Sequence, residues 1–488
     1  KKKEEPTNDK VLLKNKSGVL NPRDSMLFEL EALLNDTALT YAGVGFCIYD
    51  DDADTMIIQR NQNLSLVPAS TTKLFTTAAA LEILGESACF RTSLQYSGSI
   101  QGRTLKGNVY IRGGGDPTLG SSIFSSRYFM SGFANAVARL GIDSINGAVI
   151  GDARIFNNEL APFMWTWGEL GSVFCAGVSG LSIYDNMFSA QINVGRKGRY
   201  KLPVNGSNPY LPGVYVVNNL VSGGGAPYYN VLSAPFTSEL QVYGADPGSA
   251  SINVYAPLPD PPYTAAYDLL LKLKAKGIRV SDSATTMRTV QSANVGSAVK
   301  DNLYGNRREI SAVYSPPVSS IVYQTNQFSN NFFAEHLMRQ IGLRSRGYGS
   351  TEAGIKAVYS FLKTAGIDTR GMFLFDGSGM ARANGITAKQ LIDLLLYMKK
   401  SKHATSFYNS LSVVGKSGTF KGNCLGTEAV GRAVMKGGTL LRVKNWAGYI
   451  NCKSGKKLVI SFMANNFTCT TEEMREKFEK VLVKMSKM

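Results

Sequence analysis

The chain has 488 residues, too many for one ordinary hydrophobic core, so two or three domains are expected. Its apolar and charged fractions, 44% and 18%, are those of a soluble globular protein, and no run of about 18 apolar residues predicts a membrane span. Lysine and arginine outnumber aspartate and glutamate by 53 to 36, a net charge of +17. Because these basic residues are spread thinly, without a clustered basic helix, they argue against a nucleic-acid module; a basic surface facing an acidic envelope or polymer fits the charge.

The amino terminus is predicted to be a solvated tether over residues 1–15, since residues 1–10 are almost all polar or charged. The chain begins with lysine instead of methionine. We therefore expect that a leader has been removed, by a signal peptidase or in the preparation of the protein.

Hydrophobic periodicity then divides the chain into three stretches. The first has a helix, two strands and an apolar helix, at residues 26–34, 42–50, 55–60 and 74–85. From about residue 90 to residue 262, short strands alternate with glycine turns and long helices are few. The last stretch has helical periodicity, a strand hairpin and a final helix, at residues 263–277, 319–328, 331–342, 354–365, 387–400, 444–451, 457–465 and 472–485.

The two mixed stretches predict one domain that is interrupted by a β-rich insertion. We expect strands from the amino-terminal part to pair with strands from the carboxyl-terminal part. The expected division gives residues 16–92 and 263–488 to this domain. Residues 93–262 form the insertion, either as one β-rich domain or as two, one nested in the other.

A candidate nucleophile with its own base opens the first apolar helix. Ser70 and Lys73 stand three residues apart, so on a helix the amine lies beside the hydroxyl. Serine needs such a partner, and the positive end of a helix favours both a neutral lysine and an anionic intermediate. Histidine cannot easily supply the base, because the chain has only two.

The same spacing also arises by accident. Ser297 and Lys300 repeat it without an apolar helix behind them. On this motif alone, Ser70 is either a catalytic serine or an ordinary surface residue, and the rest of the chain has to decide.

A second hydroxyl, to pass a proton to a leaving group, and an amide, to hold the substrate backbone, are found together. Ser329, Asn330 and Asn331 lie in the break between two predicted helices, where a polar loop can point into a cleft. A helix N-cap is the alternative interpretation of these residues.

A cation for a substrate carboxylate has three candidates, the Lys-x-Gly triplets that begin at Lys416, Lys436 and Lys453. Lys453 falls in the turn of the predicted hairpin, where lysine and glycine are ordinary. Lys416 lies in a glycine-rich loop with no paired strand beside it. Because Lys436 begins a strand that leads directly into the hairpin, we assign the cation to Lys436.

With these three motifs in order, the chain resembles the penicillin-binding DD-carboxypeptidases/DD-endopeptidases of low-mass class C. The ordered motifs are shared with serine β-lactamases and fix only the superfamily. Longer stretches are similar to this family in particular: residues 113–119, 151–152 with Phe156, 376–379, 415–419, and 446–449 with 464–466. The resemblance implies an α+β fold, in which a β-lactamase/transpeptidase-like domain, an antiparallel sheet flanked by helices, is interrupted by a large β-rich insertion.

The resemblance implies acyl transfer on the D-Ala-D-Ala stem peptides of peptidoglycan, as a carboxypeptidase and, at D-Ala-linked cross-bridges, as an endopeptidase. Lys73 takes the proton from Ser70, which attacks the penultimate D-alanine. Ser329 passes a proton to the departing amine, and Asn331 fixes the acyl chain and orients Lys73. Water then releases the acyl-enzyme, whereas a β-lactam stops at the acyl stage.

It also implies how the substrate is held. Lys436 and Thr439 hold the terminal carboxylate, and Gly438 is part of the same substrate-binding strand. Asp152 and Arg382 are candidates for reading the diamino-acid side chain of the stem peptide; the alternative is that both are merely solvated.

The chain departs from the family pattern at Gly437, where the family has threonine or serine, so a hydroxyl that helps to bind the carboxylate is missing. Two other functions therefore stay open. The first is that of a peptidoglycan-binding structural protein whose active site has decayed. The second is that of an esterase or β-lactamase on the same fold. A β-lactamase turns penicillin over quickly instead of stalling.

The partners implied by the resemblance are peptidoglycan stem peptides and β-lactam antibiotics, with no nucleic acid and no transmembrane segment in this chain. No metal or organic cofactor is required. The six cysteines show no metal-ligand spacing, and they neither prove nor exclude disulfides. The expected location is the periplasm or the cell envelope.

Overall fold

The computed structural model describes residues 21–124, 128–202, 206–223, 226–292 and 306–488. The predicted tether and the second serine–lysine pair, Ser297 and Lys300, lie outside the described residues. The helices are α1 (Pro22–Leu34), α2 (Thr72–Leu84), α3 (Phe129–Ala138), α4 (Pro261–Ala275), α5 (Met287–Ser292), α6 (Val318–Gln327), α7 (Asn331–Arg346), α8 (Thr351–Thr364), α9 (Ala388–Lys400), α10 (Ala404–Ser410) and α11 (Thr471–Ser486).

The strands are β1 (Gly43–Asp50), β2 (Thr55–Arg60), β3 (Arg91–Tyr96), β4 (Ser99–Gln101), β5 (Thr104–Lys106), β6 (Val109–Arg112), β7 (Ser144–Asn146), β8 (Val149–Asp152), β9 (Met187–Asn193), β10 (Gly198–Lys201), β11 (Ser207–Asn208), β12 (Tyr215–Ser222), β13 (Tyr228–Leu232), β14 (Glu239–Asp246), β15 (Ser251–Pro257), β16 (Arg279–Val280), β17 (Thr285–Thr286), β18 (Arg308–Tyr314), β19 (Ser412–Val413), β20 (Ala433–Leu440), β21 (Val443–Asn451) and β22 (Lys457–Asn465).

One antiparallel sheet joins the two ends of the chain. Its strand order is β19–β20–β21–β22–β1–β2, and β1 pairs with β22 from Gly43 opposite Asn465 to Asp50 opposite Leu458. The predicted pairing of amino-terminal with carboxyl-terminal strands is confirmed. So is the predicted α+β class, an antiparallel sheet flanked by helices.

Helices cover both faces of this sheet. On one face, Met26 of α1 and Phe478 of α11 pack in one buried cluster with Trp446 of β21. On the other face, α2 lies among α6, α7, α8 and α9, and its residues 72–81 are all buried. A helix that is buried on every side is apolar all round, which is why its one lysine, Lys73, stands out. Among the described residues, no helix is both long enough and apolar enough to cross a bilayer.

Among the described residues, four further sheets are formed by strands β3 to β18, which lie in sequence between the amino-terminal and carboxyl-terminal parts of this helix-flanked domain. Strand β18 pairs with β3, with Arg308 opposite Tyr96, and α4 packs against β8. We therefore propose that the insertion spans residues 91–314 and that the domain consists of residues 21–90 and 315–488, instead of the division expected from sequence. Strands β9 to β15 form two sheets of their own, and we propose that they are the nested domain.

The contact between the two ends of the chain gives a stability prediction. The ring of Phe462 on β22 lies 6.0 Å from Phe46 on β1 and 5.5 Å from Phe478 on α11. We expect Phe462→Ala to lower the free energy of unfolding by about 3–5 kcal/mol, because it leaves a cavity where strands and helix meet. Phe28→Ala, at a site that is 62% exposed on α1, should change it by less than about 0.5 kcal/mol. Equal midpoints of urea unfolding for the two variants would contradict the conclusion that Phe462 is part of the core joining the two ends of the chain.

Candidate active site

Ser70 lies in a tight turn at the start of the buried helix α2. Residues Ala69–Thr71 form a 3-10 turn that leads directly into α2. Ala69 has a φ of +48°, in the left-handed region that residues other than glycine rarely adopt. Its carbonyl accepts a hydrogen bond of 2.8 Å from the Thr72 hydroxyl, which helps to hold the turn. Ser70 is thereby fixed at the mouth of a cleft, half-buried.

The amine of Lys73 has three partners. Its Nζ lies 2.9 Å from Ser70 Oγ, 2.6 Å from Asn331 Oδ1 and 2.6 Å from the carbonyl oxygen of Ser378. A neutral amine has two N–H groups and one lone pair. It can therefore donate to Asn331 and Ser378 and still accept the proton of Ser70, which is the geometry of a general base.

Burial favours this neutral form. Lys73 is 0% exposed, and loss of solvation lowers the pKa of its amine to about 7, against the opposing charges of Asp376 and Glu335. Near neutral pH a substantial fraction of the molecules then carries an unprotonated Lys73.

Two buried carboxylates shape the loop that carries the Ser378 carbonyl. Glu335 Oε1 accepts from the backbone N–H groups of Gly377 and Ser378, at 2.9 and 2.8 Å. Asp376 accepts from its own loop and, at 2.9 Å, from the indole N–H of Trp165. Because Asn331 and Glu335 are one turn apart on α7, this helix positions Lys73 both directly and through the loop.

Glu335 is itself perturbed. Burial, followed by the charge of Asp376, raises the pKa of Glu335 to about 7, and Arg339 opposes the shift. The charged groups that face this carboxyl are thus Asp376, Arg339 and Lys73. Sequence reasoning missed Glu335, because a glutamate in a helical pattern is ordinarily assigned to its solvated face.

The second serine meets the second lysine. Lys436 Nζ donates to Ser329 Oγ at 2.9 Å and to the carbonyl of Gly437 at 2.7 Å. Burial, together with the nearby Lys73, holds the pKa of Lys436 well below its usual range. The competing lysines, Lys416 and Lys453, are exposed.

One residue of the second motif is a helix N-cap, and the other two face the cleft. Asn330 is the N-cap of α7, and its Oδ1 accepts from the N–H of Phe333 at 3.0 Å. Ser329, with a φ of +55°, and Asn331 flank the cap and face the cleft. The cap therefore fixes the loop that presents them.

Strand β20 passes directly against the nucleophile turn. A Cβ atom on Gly438 would lie 2.5 Å from the carbonyl oxygen of Pro68 and 3.0 Å from the backbone N of Ser70. Only glycine allows this approach, so the role of Gly438 is to let the backbone of β20 pack directly against the turn that carries Ser70. The next residue, Thr439, is exposed in the cleft, and its hydroxyl accepts from Lys444 Nζ at 3.0 Å.

These groups meet in a cleft of about 750 Å³ that Ser70, Ser329, Asn331, Arg382 and Thr439 line. The charged residues in its lining are Glu169, Asp185, Arg382, Lys444 and Arg475. The basic side is next to β20, where Lys444 reaches Thr439 and Arg382 approaches the Leu441 carbonyl at 3.5 Å.

The acidic residues of the cleft, Glu169 and Asp185, have no motif in the sequence. Glu169 belongs to the same loop as Phe174, whose carbonyl accepts from Asn331 Nδ2 at 2.9 Å. The only signal is compositional: residues 155–195 contain no lysine or arginine.

The structure does not bring Asp152 to the cleft. Its carboxylate is 3% exposed on β8 and accepts from Arg154, at 2.8 and 2.7 Å, and from Arg307, at 2.7 Å. Two guanidinium groups thus occupy a side chain that the family resemblance had made a candidate for substrate recognition. Within the described residues, no cluster of three histidine, cysteine, aspartate or glutamate side chains is arranged to hold a metal ion.

Comparison with known proteins gives one consistent result. The sequence model of the D-Ala-D-Ala carboxypeptidase 3 (S13) family matches residues 26–487. The D-alanyl-D-alanine carboxypeptidase of Actinomadura sp. (strain R39) is 28% identical over 452 residues, which is 90% of this chain and 80% of that protein. D-alanyl-D-alanine carboxypeptidase DacB of Haemophilus influenzae is 23% identical over 450 residues, 89% of this chain and 88% of that protein.

The fold matches as well. The crystal structure of penicillin binding protein 4 (dacB) from Haemophilus influenzae aligns with a TM-score of 0.75 at 21% identity, over 95% of this chain and 98% of that one. At this level of identity the likeness shows the fold alone.

The buried carboxylate behind Lys73 gives a prediction about pH. Glu335→Gln keeps an oxygen for both backbone N–H groups but removes a charge that raises the pKa of Lys73. The amine should then stay neutral to lower pH, and the acidic limb of acylation by benzylpenicillin should move down. Because the pKa of Glu335 is itself about 7, its carboxyl is partly protonated on that limb, and the movement should be less than about one pH unit. The measurement is the acylation rate between pH 5 and 9.

The matched control is Glu352→Gln on the exposed start of α8, which should leave the profile unchanged. If Glu335→Gln slows acylation equally at every pH, Glu335 acts on the fold and not on Lys73.

Proposed function

Because the chain belongs to the D-Ala-D-Ala carboxypeptidase 3 (S13) family, we propose that it is a serine peptidase of peptidoglycan that removes the terminal D-alanine of D-Ala-D-Ala stem peptides through an acyl-enzyme. The observation that carries the proposal is the meeting of two buried serine–lysine pairs at one cleft. Lys73 bonds Ser70, and Lys436 bonds Ser329. The same geometry argues against a decayed binding protein, which has no need to keep either lysine buried.

Acylation begins with the neutral amine of Lys73. It takes the proton of Ser70 Oγ as the oxygen attacks the carbonyl carbon of the penultimate D-alanine. The backbone N–H groups of Ser70 and Thr439 stabilise the tetrahedral oxyanion, a contribution of about 3–4 kcal/mol for each donor lost in comparable sites. The acyl group then remains on Ser70 as an ester.

The leaving group departs on the other side of the site. Ser329, hydrogen-bonded to Lys436, donates a proton to the amine of the terminal D-alanine, and the C–N bond breaks. Ser329 then regains the proton that Lys73 took from Ser70, which returns the amine of Lys73 to its neutral form before deacylation. Asn331 holds the acyl chain while water, deprotonated by the same amine of Lys73, hydrolyses the ester. A β-lactam reacts along the same path, but its leaving amine stays tethered, so the protein stops at the acyl stage and is inhibited.

The substrate carboxylate binds on the basic side of the cleft. Gly437 has no hydroxyl, and a Cβ atom there would lie 3.2 Å from the ring of Phe420, so a side chain at this position would press on that ring. Thr439 with Lys444 supplies a hydroxyl and a cation on the same strand pair. An arriving carboxylate would also favour the protonated form of Lys436, which burial alone disfavours.

The acidic side of the cleft fits the diamino acid of the stem peptide. Glu169 and Asp185 line the cleft, and Glu169 belongs to the loop whose Phe174 carbonyl accepts from Asn331, which holds the acyl chain, whereas Asp152 is occupied by arginines. We assign the recognition of a substrate ammonium to Glu169 and Asp185. The cleft also extends past β20 to Arg382, which leaves room for the longer leaving group of a cross-bridge, and endopeptidase action on such bridges is part of the proposal.

The test is release of D-alanine from a soluble stem pentapeptide. The protein should release it, and Ser70→Ala should not. Thr439→Val should raise KM about tenfold, because one hydrogen bond to a charged carboxylate is lost, while kcat changes little. A β-lactamase would instead consume benzylpenicillin rapidly and leave the pentapeptide intact, and that result would overturn the proposal.

A further inference from the structure

The loop of residues 161–175, here called the rim loop, exposes an unusual set of large apolar side chains. The exposed fractions are 90% for Phe163, 39% for Met164, 60% for Trp167, 47% for Val173 and 67% for Phe174. Aromatic side chains are ordinarily buried for most of their surface, and a concentration of exposed ones within fifteen residues marks a binding surface.

The rim loop is fixed to the active site. Trp165 is buried against Cys175 and Ala381, and its indole N–H donates to Asp376 at 2.9 Å. At the other end of the loop, the carbonyl of Phe174 accepts from Asn331. The exposed side chains of the loop therefore project from a segment that is already ordered, which lowers the entropic cost of binding.

The exposed surface continues outward from the cleft. Val173 and Phe174 line the cleft, whereas Phe163, Met164 and Trp167 lie beyond its lining. If the proposed function is right, the acyl part of the substrate leaves the cleft next to Asn331, on the side of this loop. The sugar strand to which the stem peptide is attached then lies on the same side, beyond the peptide.

Charge selects among the possible occupants. Residues 155–195 contain Glu159, Glu169 and Asp185 but no lysine or arginine, in a chain with a net charge of +17. A surface that docks on anionic lipid or on another polyanion has basic residues beside its aromatics. The rim loop therefore suits an uncharged partner, and strands of N-acetylated sugars are uncharged along their backbone.

We propose that Phe163, Trp167 and Phe174 form a stacking surface for the N-acetylated sugar rings of the glycan strand that carries the stem peptide. The face of an aromatic ring has partial negative charge, and the C–H groups on the flat face of a pyranose have partial positive charge. The inference rests on the proposed function and extends it from free stem peptides to stems on polymeric peptidoglycan.

The test compares two substrates with the double variant Phe163→Ala/Trp167→Ala, which changes no residue of the cleft lining. Release of D-alanine from insoluble peptidoglycan with pentapeptide stems should fall about tenfold, since two aromatic contacts are lost. Release from the soluble pentapeptide and acylation by benzylpenicillin should stay the same. Phe28→Ala, an exposed aromatic residue on α1, is the matched control and should change none of the three.

The inference would be overturned if the double variant released D-alanine from both substrates as fast as the unaltered protein does. It would also be overturned if release from both substrates fell by the same factor. Binding to soluble oligomers of N-acetylglucosamine, which are uncharged N-acetylated glycan strands, measured by calorimetric titration, separates the inference from the proposed function. Saturable binding that the double variant loses supports the glycan surface even if no D-alanine is released. Loss of binding to phosphatidylglycerol vesicles, or loss of self-association, with glycan binding unchanged would assign the surface to a membrane or to a second copy instead.

Discussion

The site depends on the burial of one amine. Lys73 is held away from water between α2, α7 and the loop that begins at Asp376, and its neutral form has the right number of donors for its partners there. Removing the surrounding packing would restore the ordinary pKa of a lysine and with it remove the base that we propose for Ser70 near neutral pH. The apolar helix α2 is therefore both the core of its domain and the part of the molecule that sets the chemistry.

The other elements of the site are positioned by the closure of the central sheet across the two ends of the chain. Strand β20 reaches the turn of Ser70 only because the carboxyl-terminal strands continue the sheet of β1 and β2. Gly438 lets the backbone of β20 lie against the turn of Ser70, and this contact leaves Lys436, on the same strand, buried. Asn330 caps the helix that carries Asn331 and Glu335. Apart from Glu335, each of these residues belongs to a short sequence motif, but the site forms only when the turn of Ser70 and the strand of Gly438, which are distant in sequence, have come together.

The sequence predicted the parts of this arrangement that have short-range patterns. The helix expected at residues 331–342 is α7 (Asn331–Arg346), and the hairpin strands agree with β21 and β22 to within a residue or two. Hydrogen bonds join Lys73 to Ser70 and Asn331, and another joins Lys436 to Ser329. That these five residues are catalytic stays a prediction.

What the sequence could not supply depends on contacts between distant residues. Asp152 reads as available until Arg307, 155 positions away, is seen on its carboxylate. Glu169 and Glu335 belong to no motif, and their surroundings decide which one is buried and which one faces the cleft. Helix α3 (Phe129–Ala138) has a glycine near its start and no charged residue to mark a polar face, so its periodicity was missed among the strands around it.

The measurement that tests the central claim most directly is the intact mass of the protein after brief exposure to benzylpenicillin, with peptide mapping of the adduct. We expect one stable adduct, on Ser70, that is absent from Ser70→Ala and forms more slowly as the pH falls below about 7. An adduct on another residue, or none while the drug is left intact, would contradict it.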